Sequence, residues 1–241
     1  MSEFTVARSN QRNTRSAQRA LAFRAWGGAR KGAGRRPNGA RSGVSHHKRP
    51  ALARRYPVHL TLKIARELPN LRRRDAIRTI ERQLFAANGR FGLRIAQYCV
   101  QKDHLHLVCE ATGRDALSRG MQGMSIRIAR ALNRLWQRKG SLFADRYHAH
   151  ILKTPREVKN CLSYVLNNAR RHGKQRRQVK RVYPLAWADP CSSARWFDGF
   201  RGVRPERTPD QAPVAAPRTW LLRVGWRRHG LLALDAIPGT S

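Results

Sequence analysis

His104-Leu105-His106 sets two imidazoles two residues apart within the run His104 to Glu110, which reads as extended. Side chains two apart on a strand leave the same face, so both rings project together from backbone positions about 6.5–7 Å apart. Two such rings can grip one divalent cation. Taken alone, the pair is as compatible with a structural role as with ligation. Further along, Tyr164 and Asn168 are four apart in a helical pattern whose apolar stripe is Val158, Leu162, Val165 or Leu166, and Ala169. They share a different face of that helix, one above the other. A phenol is a nucleophile and a carboxamide oxygen is a metal donor. Turned toward the histidines, the two would supply an attacking group and a third ligand. On spacing alone, an edge tyrosine and a solvated asparagine fit equally well.

Other candidates carry less. His148 and His150 share a strand face and could form a second metal pair, but they read better as DNA-contacting residues or as supports for the first pair. His59-Leu60-Thr61 fits the H-x-T element of two-histidine phosphoesterases, which need two copies; His104-Leu105-His106 lacks the threonine. Tyr147 and Tyr183 have no acceptor one turn away as Tyr164 does. His46-His47 lies in a basic segment without further chemistry. Cys99, Cys109, Cys161 and Cys191 include no C-x-x-C pair, so neither structural zinc nor a disulfide frame is expected. They read as small core residues of a reducing, cytoplasmic protein.

The elements that must position these groups are legible between Tyr56 and Gly173. Val58 to Ile64 alternates as a strand, and Ile77, Ile80 and Leu84 mark an amphipathic helix over about Leu71 to Asn88. Strands over Leu93 to Val100 and His104 to Glu110 are joined by three residues, short enough for a hairpin. Leu117, Met121, Met124, Ile128, Leu132 and Leu135 line one face of a helix over about Asp115 to Lys139, with Gly140 as its stop. A strand over Arg146 to Leu152 leads into Thr154-Pro155-Arg156-Glu157, a capping box with proline at the first helical position. The helix it opens is expected to reach His172. The order predicts an α+β fold: a ferredoxin-like antiparallel sheet with helices on one face, an added helix, and the other face free for a ligand.

The flanks differ in kind. Residues 1–55 hold fourteen Lys or Arg against one acid, Glu3, around a glycine-rich centre. They read as a disordered basic arm, because such a segment buries too little apolar surface to offset its ordering entropy. Residues 56–182 read as the catalytic domain, and 183–241 as an extension rich in tryptophan without an assignable fold.

Across the whole chain 50 Lys and Arg face 14 Asp and Glu, a formal charge of +36. A polyanion must neutralise such a surface, and nucleic acid is the commonest. No apolar run of membrane-spanning length occurs, and no apolar secretory core opens the chain. On the long helix Arg127, Arg130, Arg134 and Arg138 form a basic stripe. Arg170, Arg171, Lys174, Arg176, Arg177, Lys180 and Arg181 follow the last helix and could contact a nucleic-acid backbone.

Three segments, in order and at fitting intervals, resemble the motifs of the single-tyrosine HUH transposases, most closely the branch of REP-associated tyrosine transposases. They are Asp103 to Val108, Gly140 to His148, and Tyr164 to Arg170. The resemblance spans about Tyr56 to Gly173. It implies that His104 and His106 are the metal-binding histidines, Tyr164 the nucleophile and Asn168 the third ligand. It further implies Mg²⁺ or Mn²⁺ as cofactor, and hairpin-forming single-stranded DNA as substrate. The reaction it implies is cleavage and rejoining through a 5′-phosphotyrosine, by a cytoplasmic, nucleoid-associated enzyme. Asp103 departs from the asparagine often found before the first histidine and adds a charge there. A domesticated binder of hairpin DNA or RNA is the alternative. A relaxase fits less well, since no further histidine or second tyrosine accompanies Tyr164.

Overall fold

The computed structural model describes residues 49–175, 186–202, 205 and 211–238, with side chains omitted for 172–175. All of these belong to one compact unit. Most of the basic arm, Tyr183 and the basic run from residue 176 lie outside the described residues. No helix among the described residues is long and apolar enough to cross a membrane.

Strand β1 (Val58–Lys63) is followed by helix α1 (Arg74–Ala87), the hairpin β2 (Leu93–Val100) and β3 (His104–Ala111), helix α2 (Arg114–Leu135) and strand β4 (His148–Ile151). The strands form one sheet in the order β2-β3-β1-β4. Every pairing in it is antiparallel. This is the ferredoxin-like arrangement that the element order predicts. The expected start of α1 and end of α2 shift inward. Leu71 is buried as the chain enters α1, its N–H bonded to the Lys102 carbonyl. Helix α2 stops at Leu135, ahead of Gly140, because Gln137 already turns left-handed at φ 49°.

Alternation along β3 divides its residues between two cores. Leu105, Leu107 and Cys109 face α1 and α2, joining Ile80, Leu84, Met121, Ile128 and Leu132. His104, His106, Val108 and Glu110 therefore point to the opposite face. A bulge between Ile95 and Gln97 shifts the phase of β2, so that Ile95 and Tyr98 join the first core while Ala96 and Cys99 join the second.

That second face is not left free as the element order suggests. Helix α3 (Pro155–Leu166) crosses it, seating Val158, Cys161, Leu162, Val165 and Leu166 against Ala96, Cys99 and Val108. The C-terminal segment covers α3 in turn with Phe197, Phe200, Leu221, Leu222, Trp226, Leu232 and Leu234. Phe200, Leu221, Leu222 and Leu232 sit on three short elements, β5 (Phe200–Arg201), α5 (Trp220–Arg223) and β6 (Leu232–Ala233), and the other three on the turns around them. Patterning of the first six elements shows which sheet face needs covering by α1 and α2; it is silent on what the distant tail will cover.

The tail also closes the β2 edge. The Val100 N–H donates to the Cys191 carbonyl, the Tyr98 N–H to Ser193 Oγ, and the Ala215 N–H to the Ile95 carbonyl. Buried Asp189 holds Arg72 through two hydrogen bonds of 2.7 and 2.9 Å. All four cysteines are free and buried.

Candidate active site

The two histidines of β3 meet at their tips: His104 Nε2 and His106 Nε2 are 3.0 Å apart. Two nitrogens bound at right angles to one first-row cation, each about 2.1 Å from it, would be about 3 Å apart. The pair therefore fits adjacent corners of a coordination sphere. The Tyr164 hydroxyl lies 3.4 Å from His106 Nε2, and its ring meets the imidazole edge-on with centroids 5.0 Å apart. Capping explains why α3 starts where it does. Thr154 accepts from the Glu157 N–H while the Glu157 carboxylate accepts from the Thr154 N–H. Three turns later the helix presents Tyr164 to the histidines, with the stripe from Val158 to Leu166 held in the second core.

Each histidine has a partner on its far nitrogen. Asp103 Oδ1 lies 2.7 Å from His104 Nδ1. Partial burial opposes ionisation of Asp103, but the hydrogen bond to His104, with the charges of His104 and Lys63, holds its carboxyl below the usual range. A carboxylate on Nδ1 favours the tautomer that leaves the Nε2 lone pair outward. The charge at Asp103 thus orients the first ligand candidate. On the second, His106 Nδ1 lies 3.2 Å from both His59 Nε2 and Thr61 Oγ1 on β1. Burial, reinforced by His150 and His148, depresses the His59 pKa to about 4. His59 is therefore neutral at physiological pH and can accept the His106 Nδ1 proton.

His59 and Thr61 were legible as an H-x-T pair on one strand face, yet their partner was not. Only the β1–β3 register, with Thr61 opposite His106, brings them to the site. His148 and His150 extend the same row: they lie opposite Thr61 and His59 on β4 and are exposed. Truncating His59 to alanine is expected to weaken Mn²⁺ binding by about 10- to 100-fold, as loss of a ligand's supporting partner commonly does. Titration of bound Mn²⁺ by electron paramagnetic resonance measures it; an unchanged affinity removes His59 from the site.

The single helix expected to run from Thr154 to His172 is instead two. Helix α3 ends at Leu166, Asn167 leaves helical geometry at φ −107°, ψ 14°, and α4 (Asn168–Gln175) begins at once. The Asn167 amide fixes the break by donating to the Ala233 carbonyl at 2.9 Å. Asn168 consequently opens a new helix rather than sitting one regular turn above Tyr164. It is fully buried, and neither its Oδ1 nor its Nδ2 has a hydrogen-bond partner. Leaving such a group unsatisfied costs about 1–3 kcal/mol, which a buried water or a bound ion would relieve. Among the described residues no group of three or more His, Cys, Asp or Glu could hold a metal ion. A cation on the histidine pair would need a donor of another kind, and the orphaned amide oxygen of Asn168 has the right chemistry.

The basic residues separate. Arg171 lies over the Tyr164 ring, its guanidinium carbon 5.4 Å from the centroid. Arg130 and Arg134 are exposed and Arg127 half-buried on α2, which packs on the sheet face opposite the histidines. Arg170 is corrected: it is 8 % exposed, with Nη2 donating to the Trp187 carbonyl at 3.0 Å and the guanidinium near the Trp187 ring. It ties the tail to α4 and keeps little surface for DNA. The Lys174 side chain lies outside the described residues.

Residues 56–168 match the family model described as "Transposase IS200 like". No curated protein matches the chain. Among solved structures, one similar chain is described as a REP-associated tyrosine transposase bound to a REP hairpin. It has 16 % identity and a TM-score of 0.46, with 62 % of this chain and 82 % of that one covered. Another is a bacterial tRNA(His) guanylyltransferase-like protein in complex with GTP, at 13 % identity and a TM-score of 0.39, covering 56 % and 73 %. Through residues 56–168, the chain is similar to the IS200-like transposases.

Proposed function

We propose that this protein cleaves and rejoins hairpin-containing single-stranded DNA, with Tyr164 as the nucleophile and a divalent cation held by His104, His106 and Asn168. The observation that carries the reading is the approach of the Tyr164 hydroxyl, 3.4 Å, to one of two imidazole nitrogens that are themselves 3.0 Å apart. A bound Mg²⁺ or Mn²⁺ would neutralise the scissile phosphate and the charge that builds on it as the reaction proceeds. Imidazole favours Mn²⁺, while the absence of thiolate argues against structural zinc.

The chain's own groups do the rest. Tyr164 Oη bonds to phosphorus as the bond from phosphorus to O3′ breaks, and the leaving oxygen takes up a proton in place of the one lost by the phenol. The products are a 5′-phosphotyrosine and a free 3′-hydroxyl. The new ester keeps the reactivity of the old one, so a 3′-hydroxyl can attack it and restore a DNA strand without ATP. Arg171, stacked against the nucleophile's ring, stands where its positive charge would favour both the phenolate and the arriving phosphate. Arg127, Arg130 and Arg134 lie across the sheet from Tyr164, which suits contacts to DNA away from the scissile bond.

Incubation with labelled single-stranded hairpins from the flanking genome and Mn²⁺ is expected to give a protein–DNA adduct that survives SDS, with the label on Tyr164 by peptide mapping. Chelation should abolish the adduct. Tight hairpin binding with no adduct across the panel would instead identify a binder that has lost cleavage; a label on Tyr147 would displace Tyr164 from its role.

A further inference from the structure

At the end of the sheet away from the histidine pair lies a cavity of about 370 Å³ whose walls carry four arginines: Arg54, Arg55, Arg94 and Arg218. Thr112 and Thr219 complete the polar lining. It is formed where the chain enters β1, where β2 begins, where β3 ends, and where the tail returns ahead of α5. On β3 the cavity's Glu110 lies four residues beyond His106 on the same face, about 13 Å along the strand.

The one acid in this wall is already committed. Glu110 is 4 % exposed, and its carboxylate accepts from the Arg218 and Thr219 backbone N–H groups at 2.7–3.0 Å. Arg94 stands beside it, Nε 3.7 Å from Glu110 Oε2, and anchors its far end on the Ala216 carbonyl. Thus one carboxylate stitches the tail to β3 and is neutralised in place. Arg54, Arg55 and Arg218 remain exposed at the mouth, and Glu110 is the one carboxylate that lines the cavity with them. Three exposed arginines lining a cavity around a neutralised pair make it electropositive, with the Arg55 guanidinium resting 4.9 Å from the Tyr56 ring centroid, and guanidinium forks match phosphate oxygens.

We propose that this cavity is a second DNA subsite, which holds a backbone phosphate of the bound strand at a distance from the bond that is cut. The proposal rests on the reading of the protein as a DNA-processing enzyme, and it adds an anchoring point that neither the histidine site nor the α2 arginines supply. The same chemistry would accept a free phosphate or pyrophosphate, so the test separates the two sources.

Binding is measured with the full chain carrying Tyr164→Phe, without metal, so that strand cleavage plays no part. Into it go Arg54→Gln, Arg55→Gln and Arg218→Gln together, and in a second protein Arg74→Gln, Arg78→Gln and Arg82→Gln, which remove equal charge from the exposed side of α1. Fluorescence anisotropy with a hairpin carrying single-stranded flanks should show at least a tenfold loss of affinity for the first triple variant. Its dependence of log K on log salt should be shallower by about 0.7 for each phosphate that is no longer neutralised. The α1 variant should keep the parent slope. Equal slopes and affinities in the two triple variants overturn the proposal. So does a cavity that binds pyrophosphate, seen as a thermal shift in the parent alone, while DNA affinity is untouched. Failure of the wild-type chain to form an adduct would bear on Tyr164 and leave this binding result standing.

Discussion

A Tyr164→Phe protein is expected to form no covalent adduct with DNA, with strand cleavage falling by about four orders of magnitude or more, the scale seen when a nucleophile is deleted. The substitution removes one oxygen and little else. The ring still meets His106 edge-on and still lies under Arg171, and the hydroxyl's approach to His106 Nε2 is long at 3.4 Å. Stability and hairpin affinity should therefore stay near wild type, so the loss would be chemical rather than structural. Gel shift and SDS-resistant labelling on the same preparations measure both properties. Persistent labelling in the variant would transfer the nucleophile to another residue and undo the mechanism.

Trp226→Ala is expected to have the largest effect on stability, about 3–5 kcal/mol. Typical domains have about 5–15 kcal/mol in total, so a third or more of the margin would go. Trp226 is 1 % exposed, stacks near Phe197 and donates Nε1–H to the Leu222 carbonyl at 3.0 Å. Its fit is tight enough that a Cβ on Gly199 would lie 2.4 Å from the indole. The cavity left behind would open beneath α3, so adduct formation should fall by more than the folded fraction does. Trp226→Phe should recover most of the stability. Trp220→Ala, at a position 48 % exposed, should cost less than about 1 kcal/mol. Urea unfolding followed by circular dichroism distinguishes these; equal effects at Trp220 and Trp226 would mean that the tail does not support α3.

Local signals carried much of this architecture. Alternation in β3 gave both its core-facing leucines and the shared face of His104 and His106, because strand periodicity needs no knowledge of neighbours. The capping box at Thr154 marked the start of α3 to the residue. What local signals lacked was pairing. His59 and Thr61 reach His106 only through the β1–β3 register, and Asp189, Ser193 and Trp226 find their partners about a hundred residues away or by way of a core with no sequence period. The break at Asn167 was invisible for a related reason. No proline or glycine marks it; the cause is a hydrogen bond to Ala233 in the tail. With the helix broken, Arg170 turns inward, which its place in a basic run could not reveal.

Because α3 is held between the sheet and the tail, synthesis has a bearing on reactivity. A nascent chain that has emerged only as far as Gln175 already carries His104, His106, Tyr164 and Asn168, yet lacks Phe197, Trp226 and Leu234, which pack in the core beneath α3. The ribosome must deliver the chain through Leu234 before Tyr164 is held in place, so shorter nascent chains would carry the basic surface without an aimed phenol.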